Sequence, residues 1–295
     1  MKKIILILLL AVSFTCCFDD DYTGCPDYMT LSFYLDDDHV PGTYDTRIGN
    51  GVRLHFFKDE RLVSSLEIPY AEIQAGKEYT IRKTEDMSGD LDLVAWAVPV
   101  GKPLQYIPSA ALGDRMEDHC LSMEPFARAA EYHNPKLCDI YLGRVSTGEA
   151  VDEPTSHRVA MIYAGCRITV NVTDEREVLD DNSEICVNGT MSRMNMWKEG
   201  VGEEALVYVD LECSSAGSQD YSTEQFCVLP SPAGEELSVS IYNSNSKLVT
   251  LTVPRDNFPR GAQAGDLIIF DHTLGTNEFT LIVNGFRQIF YSVTT

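Results

Sequence analysis

The feature that most constrains this chain is a series of short segments in which apolar and polar residues alternate, separated by turn-forming residues roughly every ten positions. The clearest example is Leu237-Ser-Val-Ser-Ile-Tyr-Asn-Ser-Asn-Ser-Lys-Leu-Val-Thr-Leu-Thr-Val253. Successive side chains of an extended strand point to opposite sides, so Leu237, Val239 and Ile241 share one face. The Asn/Ser-rich stretch from Asn243 to Ser246 supplies the turn, and Leu237–Tyr242 is expected to pair antiparallel with Leu248–Val253. Gly51–Lys58 alternates as well, with Val52, Leu54 and Phe56 on one face and Arg53, His55 and Phe57 on the other. Phe57 makes both faces partly apolar. A charged turn, Lys58-Asp59-Glu60-Arg61, leads into Leu62–Ile68 and predicts a second hairpin.

The same pattern predicts strands over Met29–Leu35, Tyr79–Lys83, Leu91–Val98, and Cys138–Leu142, the last ended by Gly143. It resumes over Arg158–Tyr163, Arg167–Val172, Glu184–Val187, Ala205–Leu211, Gln225–Leu229, Leu267–Phe270 and Phe279–Val283. Residues 109–137 are polar and mixed, with room for a short helix or a long loop. Many short strands and little helix indicate an all-β chain of the β-sandwich type. About 280 mature residues exceed one typical domain and suggest two in tandem. A stretch rich in Gly, Glu, Asp and Pro, Ser146 to Ser156, places the division between an N-terminal β-sandwich at 25–148 and a C-terminal one at 149–295.

The N-terminus reads as an export signal. Lys2 and Lys3 precede an apolar run, Ile4 to Phe14, broken only by Ser13. That run has the length of a signal-peptide core and falls short of the ~20 apolar residues that a spanning helix needs. It ends in Thr15-Cys16-Cys17, similar to a lipoprotein signal in which a cysteine receives diacylglycerol and becomes the first mature residue. Acyl chains such as palmitate supply ~0.8 kcal/mol per buried methylene, and several together hold a protein stably on a membrane. Cys16 and Cys17 both stand at the site. The run Phe18-Asp19-Asp20-Asp21 fits Cys17 better, because acidic residues just after the lipidated cysteine resemble a surface-export signal of Bacteroidales lipoproteins. Residues 1–16 are then the signal peptide and 17–24 an acidic tether.

Charge and cysteine use narrow the function. Without Lys2 and Lys3 the chain carries 21 basic against 45 acidic residues, a net charge of −24. Such a balance argues against nucleic acid as a partner and against a polybasic surface patch. With Cys16 removed and Cys17 lipidated, seven cysteines remain: Cys25, Cys120, Cys138, Cys166, Cys186, Cys213 and Cys227. Some can pair in an oxidising compartment, and an odd number leaves at least one thiol unpaired. No C-x-x-C, H-E-x-x-H, G-x-S-x-G, phosphate-binding loop or dinucleotide fingerprint occurs, so no cofactor or metal is expected. Asp36-Asp37-Asp38 lacks the spacing of a calcium loop. The pairs Asp90/Asp92 and Glu203/Glu204 could in principle act as glycosidase carboxylates. Trp96 and Trp197 could stack on a sugar, although Trp96 lies within an apolar strand and reads as core. An enzyme is not the expected reading.

With the strands placed, the order of segments resembles the FimB-like anchor lipoproteins of Bacteroidales (type V) fimbriae. The likeness is carried by Cys17, Cys25-Pro26, Leu31-Ser-Phe-Tyr-Leu35, Val52-Arg-Leu-His-Phe-Phe-Lys-Asp59, Leu91-Asp-Leu-Val-Ala-Trp96, Asp139-Ile-Tyr-Leu-Gly143, His157-Arg-Val-Ala-Met161 and Ile168-Thr-Val-Asn-Val172. The resemblance implies two transthyretin-like β-sandwich domains, a lipid anchor on the outer membrane at the cell surface, and a role in seating a fimbrial shaft and limiting its length. The implied partner is a shaft subunit (fimbrillin). Strand addition to a sandwich edge would hold it without any catalytic residue, and the candidate contact is Gln288-Ile-Phe-Tyr-Ser-Val-Thr-Thr295, a β-forming segment that can pair within its own sandwich or with a neighbour's edge. The alternative is a surface glycan-binding lipoprotein, for which exposed rows of aromatic side chains would speak.

Overall fold

A computed structural model describes residues 28–35, 48–69, 78–99, 107–108, 110–123, 131–132, 140–148, 155–215, 217–232, 234–244 and 246–294. Cys16, Cys17, Asp19, Asp20, Asp21 and the Asp36–Asp38 run lie outside them. Almost all regular structure is strand, in three hydrogen-bonded sheets.

The first sheet contains β1 (Tyr28–Leu35), β2 (Ile48–Lys58), β3 (Arg61–Ile68), β4 (Tyr79–Arg82), β5 (Leu91–Pro99), β8 (Tyr141–Thr147) and β9 (Thr155–Tyr163). Its spatial order is β3-β2-β5-β8-β9-β1-β4. The predicted β2–β3 hairpin closes at Lys58 opposite Arg61. Asp59 (φ 48°) and Glu60 (φ 63°) both take the left-handed conformation of a two-residue turn whose twist matches the flanking strands. All seven strands send side chains into one core, including Met29, Phe33, Val52, Phe56, Ile68, Ile81, Leu93, Tyr141 and Val159.

The opposite face of this sheet is buried too. Phe57, Val94, Trp96 and Leu142 join a second, larger cluster that continues through Ala164 and Cys166 into the rest of the molecule. The segment from residue 107 to residue 123 helps to cover this face, with Ile107, Met116, Leu121 and Met123 buried. It also shields the edge strand β3, because Leu62 N donates to Asp114 O (2.9 Å) and Met116 N to Glu60 O (2.7 Å). Within the mixed stretch 109–137, the described residues 110–123 therefore form a core-plugging strap. Among the described residues of 109–137, the regular parts are a 3-10 turn at Met116–Asp118 and two short strands, β6 (Leu121–Ser122) and β7 (Glu131–Tyr132).

The remaining strands form a sandwich of two sheets. One comprises β10 (Cys166–Thr173), β13 (Glu212–Cys213), β14 (Asp220–Ser222), β15 (Phe226–Val228), β18 (Leu267–Thr273), β19 (Phe279–Val283) and β20 (Phe286–Phe290). The other comprises β6, β7, β11 (Glu184–Met194), β12 (Gly200–Asp210), β16 (Leu237–Tyr242), β17 (Lys247–Val253) and β21 (Val293–Thr294). Alternation fixes the inner faces: Ile168, Val170, Val172, Ile268 and Phe270 from one sheet meet Ile185, Val187, Val239, Ile241 and Leu251 from the other. The β16–β17 hairpin stands as the sequence predicts, with Val239 opposite Leu251. Leu237, Val239 and Ile241 are fully buried.

Two sequence expectations change. Gly143 does not end a strand; it lies inside β8, beside Met161 of β9. A Cβ there would come within 2.6 Å of Met161 Sδ and Val159 Cγ1, so glycine is required by close packing. The division at 148/149 would assign β9 to the C-terminal half, yet β9 pairs antiparallel with β8 and parallel with β1. The chain changes sheets at Ala164 and Gly165, between β9 and β10. Traffic runs the other way at β6 and β7, which pair with β11 and β12.

Candidate functional site

The side chains that sequence singles out for chemistry occupy structural positions. Asp92 Oδ1 accepts from Arg144 Nη2 at 2.9 Å, and Glu204 Oε1 accepts from the Gly189 N–H at 3.1 Å. Trp96 is completely buried. Trp197 lies under Arg144, whose guanidinium carbon is 5.4 Å from the ring centroid. His55 is 1% exposed, 6.4 Å from the nearly parallel ring of His119 and 6.3 Å from Phe57. Neither ring nitrogen of His55 makes a hydrogen bond of good geometry. Burial, then the positive charges of Arg53 and His119, push its pKa down to about 4, only partly offset by the backbone at Pro108. Burial likewise lowers His272, whose Nδ1 lies 2.9 Å from Glu278 O. Among the described residues no three His, Cys, Asp or Glu side chains converge as a metal site.

The surface with the least structural explanation is the C-terminal strand edge. β18, β19 and β20 run consecutively to the border of their sheet, with β20 outermost among the described residues. β19 and β20 form a tight hairpin in which Val283 faces Phe286 and Phe279 faces Phe290. Its turn is Asn284 (φ 50°) and Gly285 (φ 83°), the Asn-Gly pair preferred where both central residues need positive φ. The turn is tied down twice: Asn284 Nδ2 donates to buried Asp266 Oδ1, and Leu267 N donates to Asn284 Oδ1, each at 2.8 Å. At the other end Phe290 stacks on Phe279 (5.3 Å), which stacks on Phe270 (5.9 Å).

Between these fixed ends the strand presents apolar side chains to solvent. Phe286 is 77% exposed, Ile289 55% and the following Tyr291 71%. Beside them lies a groove of ≈ 380 Å³ lined by Phe258, Pro259, Arg260, Leu281, Val283 and Phe286 among others. Arg260 gives the groove a cationic rim and is held by Asp266 at 3.0 Å. The chain then crosses the open side of the sandwich, and β21 pairs with β17 on the opposite sheet, Val293 facing Leu251. The segment Gln288–Thr295 therefore pairs within its own sandwich at both sheets while one long edge of β20 remains outermost; Thr295 lies outside the described residues. An outermost strand with exposed apolar side chains offers backbone donors and acceptors to a further strand. The sequence signal for this hairpin, Asn-Gly between β-forming residues, was present, whereas the strand Phe286–Phe290 was expected only as part of a C-terminal contact segment.

The sequence pattern of the family described as Mfa2, "Fimbrillin-A associated anchor proteins Mfa1 and Mfa2", matches residues 22–286. None of the curated proteins matches the chain. Among solved structures, the fold is similar to the fimbrial anchor protein Mfa2 from Porphyromonas gingivalis, with a TM-score of 0.60 and 14% identity over 89% of this chain and 99% of that one. It is also similar to a candidate polysaccharide-binding protein from Bacteroides thetaiotaomicron (TM-score 0.59, 11% identity, 89% and 97% covered). A candidate adhesin from Bacteroides ovatus gives a TM-score of 0.60 at 10% identity, with 90% and 95% covered. At these identities the likeness establishes the β-sandwich fold.

Proposed function

This chain belongs to the family of fimbrillin-A associated anchor proteins, and from that premise we propose that it is a surface lipoprotein that seats a fimbrial shaft on the outer membrane and limits its length. Cys17 carries the lipid, Asp19–Asp21 direct export to the surface, and the two units are transthyretin-like sandwiches. The observation that carries the binding step is the outermost strand β20, with Phe286, Ile289 and Tyr291 exposed on a hairpin fixed at both ends. A shaft subunit adds a strand to this edge. Backbone pairing supplies the affinity and the neighbouring groove takes a side chain, so no catalytic group is needed. Glycan binding is less favoured, because Trp96 is core and Trp197 is covered by Arg144.

The test uses the shaft subunit as bait for the purified chain. A Phe286→Asp, Ile289→Lys double variant places charges on the edge, the device by which natural edge strands resist pairing. Both positions are solvent-exposed, so the variant should melt like the parent while binding at least about tenfold more weakly, the equivalent of 1.4 kcal/mol. Unchanged binding removes β20 as the contact. A deletion strain that keeps cell-bound fimbriae of normal length removes the anchor reading itself.

A further inference from the structure

Two observations fix which backbone groups of β20 point away from its sheet. The turn Asn284–Gly285 is two residues long, so Val283 and Phe286 close it as a hydrogen-bonded pair. Bonded and non-bonded pairs alternate along an antiparallel ladder. Leu281–Gln288 and Phe279–Phe290 are then bonded, whereas Ile282–Arg287 and Thr280–Ile289 are not. The neighbouring ladder agrees. Asn284 N donates to Leu267 O at 2.9 Å, which makes Ile269–Ile282 and Asp271–Thr280 the bonded pairs between β18 and β19. Ile282 and Thr280 therefore turn their N–H and C=O groups toward β18. Arg287 and Ile289, opposite them, turn theirs outward, to a side on which no described strand lies.

The side chains sort by the same register. Phe286, Gln288 and buried Phe290 share the face of Leu281, and Phe286 and Gln288 line the groove beside Phe258. Arg287 and Ile289 stand on the other face, across from Ile282 and Thr280. The two arginines of this edge differ. Arg260 on the groove rim is paired with Asp266 at 3.0 Å. Arg287 Nη2 reaches Thr280 Oγ1 at 3.4 Å and pairs with no carboxylate among the described residues. In a chain with 45 acidic and 23 basic residues, the middle of the exposed strand thus carries a cation without a counter-charge.

We infer that the strand added to β20 bonds the N–H and C=O groups of Arg287 and Ile289, sends apolar side chains at alternate positions into the groove, and sets a carboxylate on the opposite face against Arg287. The occupant is an extended segment of the shaft subunit; that identity rests on the anchor reading, whereas the register and the side-chain chemistry do not. Residues directly opposite on neighbouring strands interact, favourably for unlike charges and unfavourably for like ones. An apolar residue is therefore suited to the positions facing Phe286 and Gln288, and an Asp or Glu to the one facing Arg287. A second copy of this chain fits less well. Antiparallel pairing of two β20 strands through the same outward groups sets Arg287 opposite Arg287, Ile289 or Tyr291 of the other copy, none of which supplies a counter-charge, and it brings two strongly acidic chains together.

Amide hydrogen exchange followed residue by residue by nuclear magnetic resonance, on the full chain alone and with the purified shaft subunit, tests these groups directly. In the chain alone, the Arg287 and Ile289 amides should exchange at close to unstructured rates, and those of Gln288 and Phe290 about a hundredfold more slowly. Excess shaft subunit should slow Arg287 and Ile289 by about tenfold or more. Arg287→Glu should weaken binding by about threefold or more, and Arg287→Lys should stay within about twofold of the parent, while both melt like the parent. Slow exchange at Arg287 and Ile289 in the chain alone means that the edge is already covered and overturns the inference. Slowing that grows with the concentration of the chain assigns the edge to a second copy and also overturns it. Binding of the shaft subunit that leaves both amides fast, or that Arg287→Glu does not weaken, overturns the inference and leaves the anchor reading standing. A shaft subunit that does not bind at all removes the anchor reading and, with it, the proposed occupant.

Discussion

Replacing His55 should flatten the acid end of the stability profile. The imidazole is 1% exposed between Phe57 and His119, and its pKa is about 4 against an ordinary value of 6.5. A group whose folded pKa is depressed binds fewer protons folded than unfolded between those two values, so stability rises with pH across that window and is lost as pH falls through it. With a difference of about 2.5 pH units, linkage gives a loss of about 2 kcal/mol by pH 5 and about 3 kcal/mol by pH 4, relative to pH 7.5. His157 and His272 are shifted in the same direction, so the whole protein should lose more than this. His55→Phe removes one titrating group while roughly keeping its volume. The assay is urea unfolding at pH 7.5, 6, 5 and 4, followed by tryptophan fluorescence, with Trp96 in the same apolar cluster as Phe57. The parent minus variant difference should change by about 3 kcal/mol across the series. Parallel profiles would mean that His55 is either solvated or already charged in the fold, and the argument from burial would fail.

Val239→Ala should cost roughly 1–3 kcal/mol in the same unfolding assay, because the side chain is fully buried between the sandwich sheets and its removal leaves a cavity; a cost under about 0.5 kcal/mol would contradict that packing. The intact mass of the native N-terminal peptide should show acyl chains on Cys17, and Cys17→Ala should release the protein into the soluble fraction; an unacylated N-terminus refutes the lipid assignment. Replacing Asp19, Asp20 and Asp21 with Ala should leave acylation intact but protect the protein from external protease in whole cells, and unchanged cleavage would reduce the acidic run to a tether.

Local pattern alone determined most of the longer strands and which of their faces are apolar, while the short strands β6, β7, β13, β14 and β21 and the edge strand β20 were not predicted. The period-two alternation of Leu237–Tyr242 and Val52–Phe57 is a property of neighbouring residues, and it survives into the fold with the predicted sides buried. Family membership was legible for the same reason, since order and spacing of such segments are linear features. Sheet membership was not. β9 looks like any alternating strand, and its place between β8 and β1 depends on a parallel partner more than a hundred residues away. Gly143 reads as a terminator until Met161 and Val159 are seen against it. The buried methionines and Leu121 in the strap show no periodicity, because a strap is shaped by the surface it covers and not by its own repeat. The candidate edge was decided last of all. Phe286 and Ile289 are ordinary strand residues in sequence; only the order of strands makes β20 outermost and leaves their side chains in water.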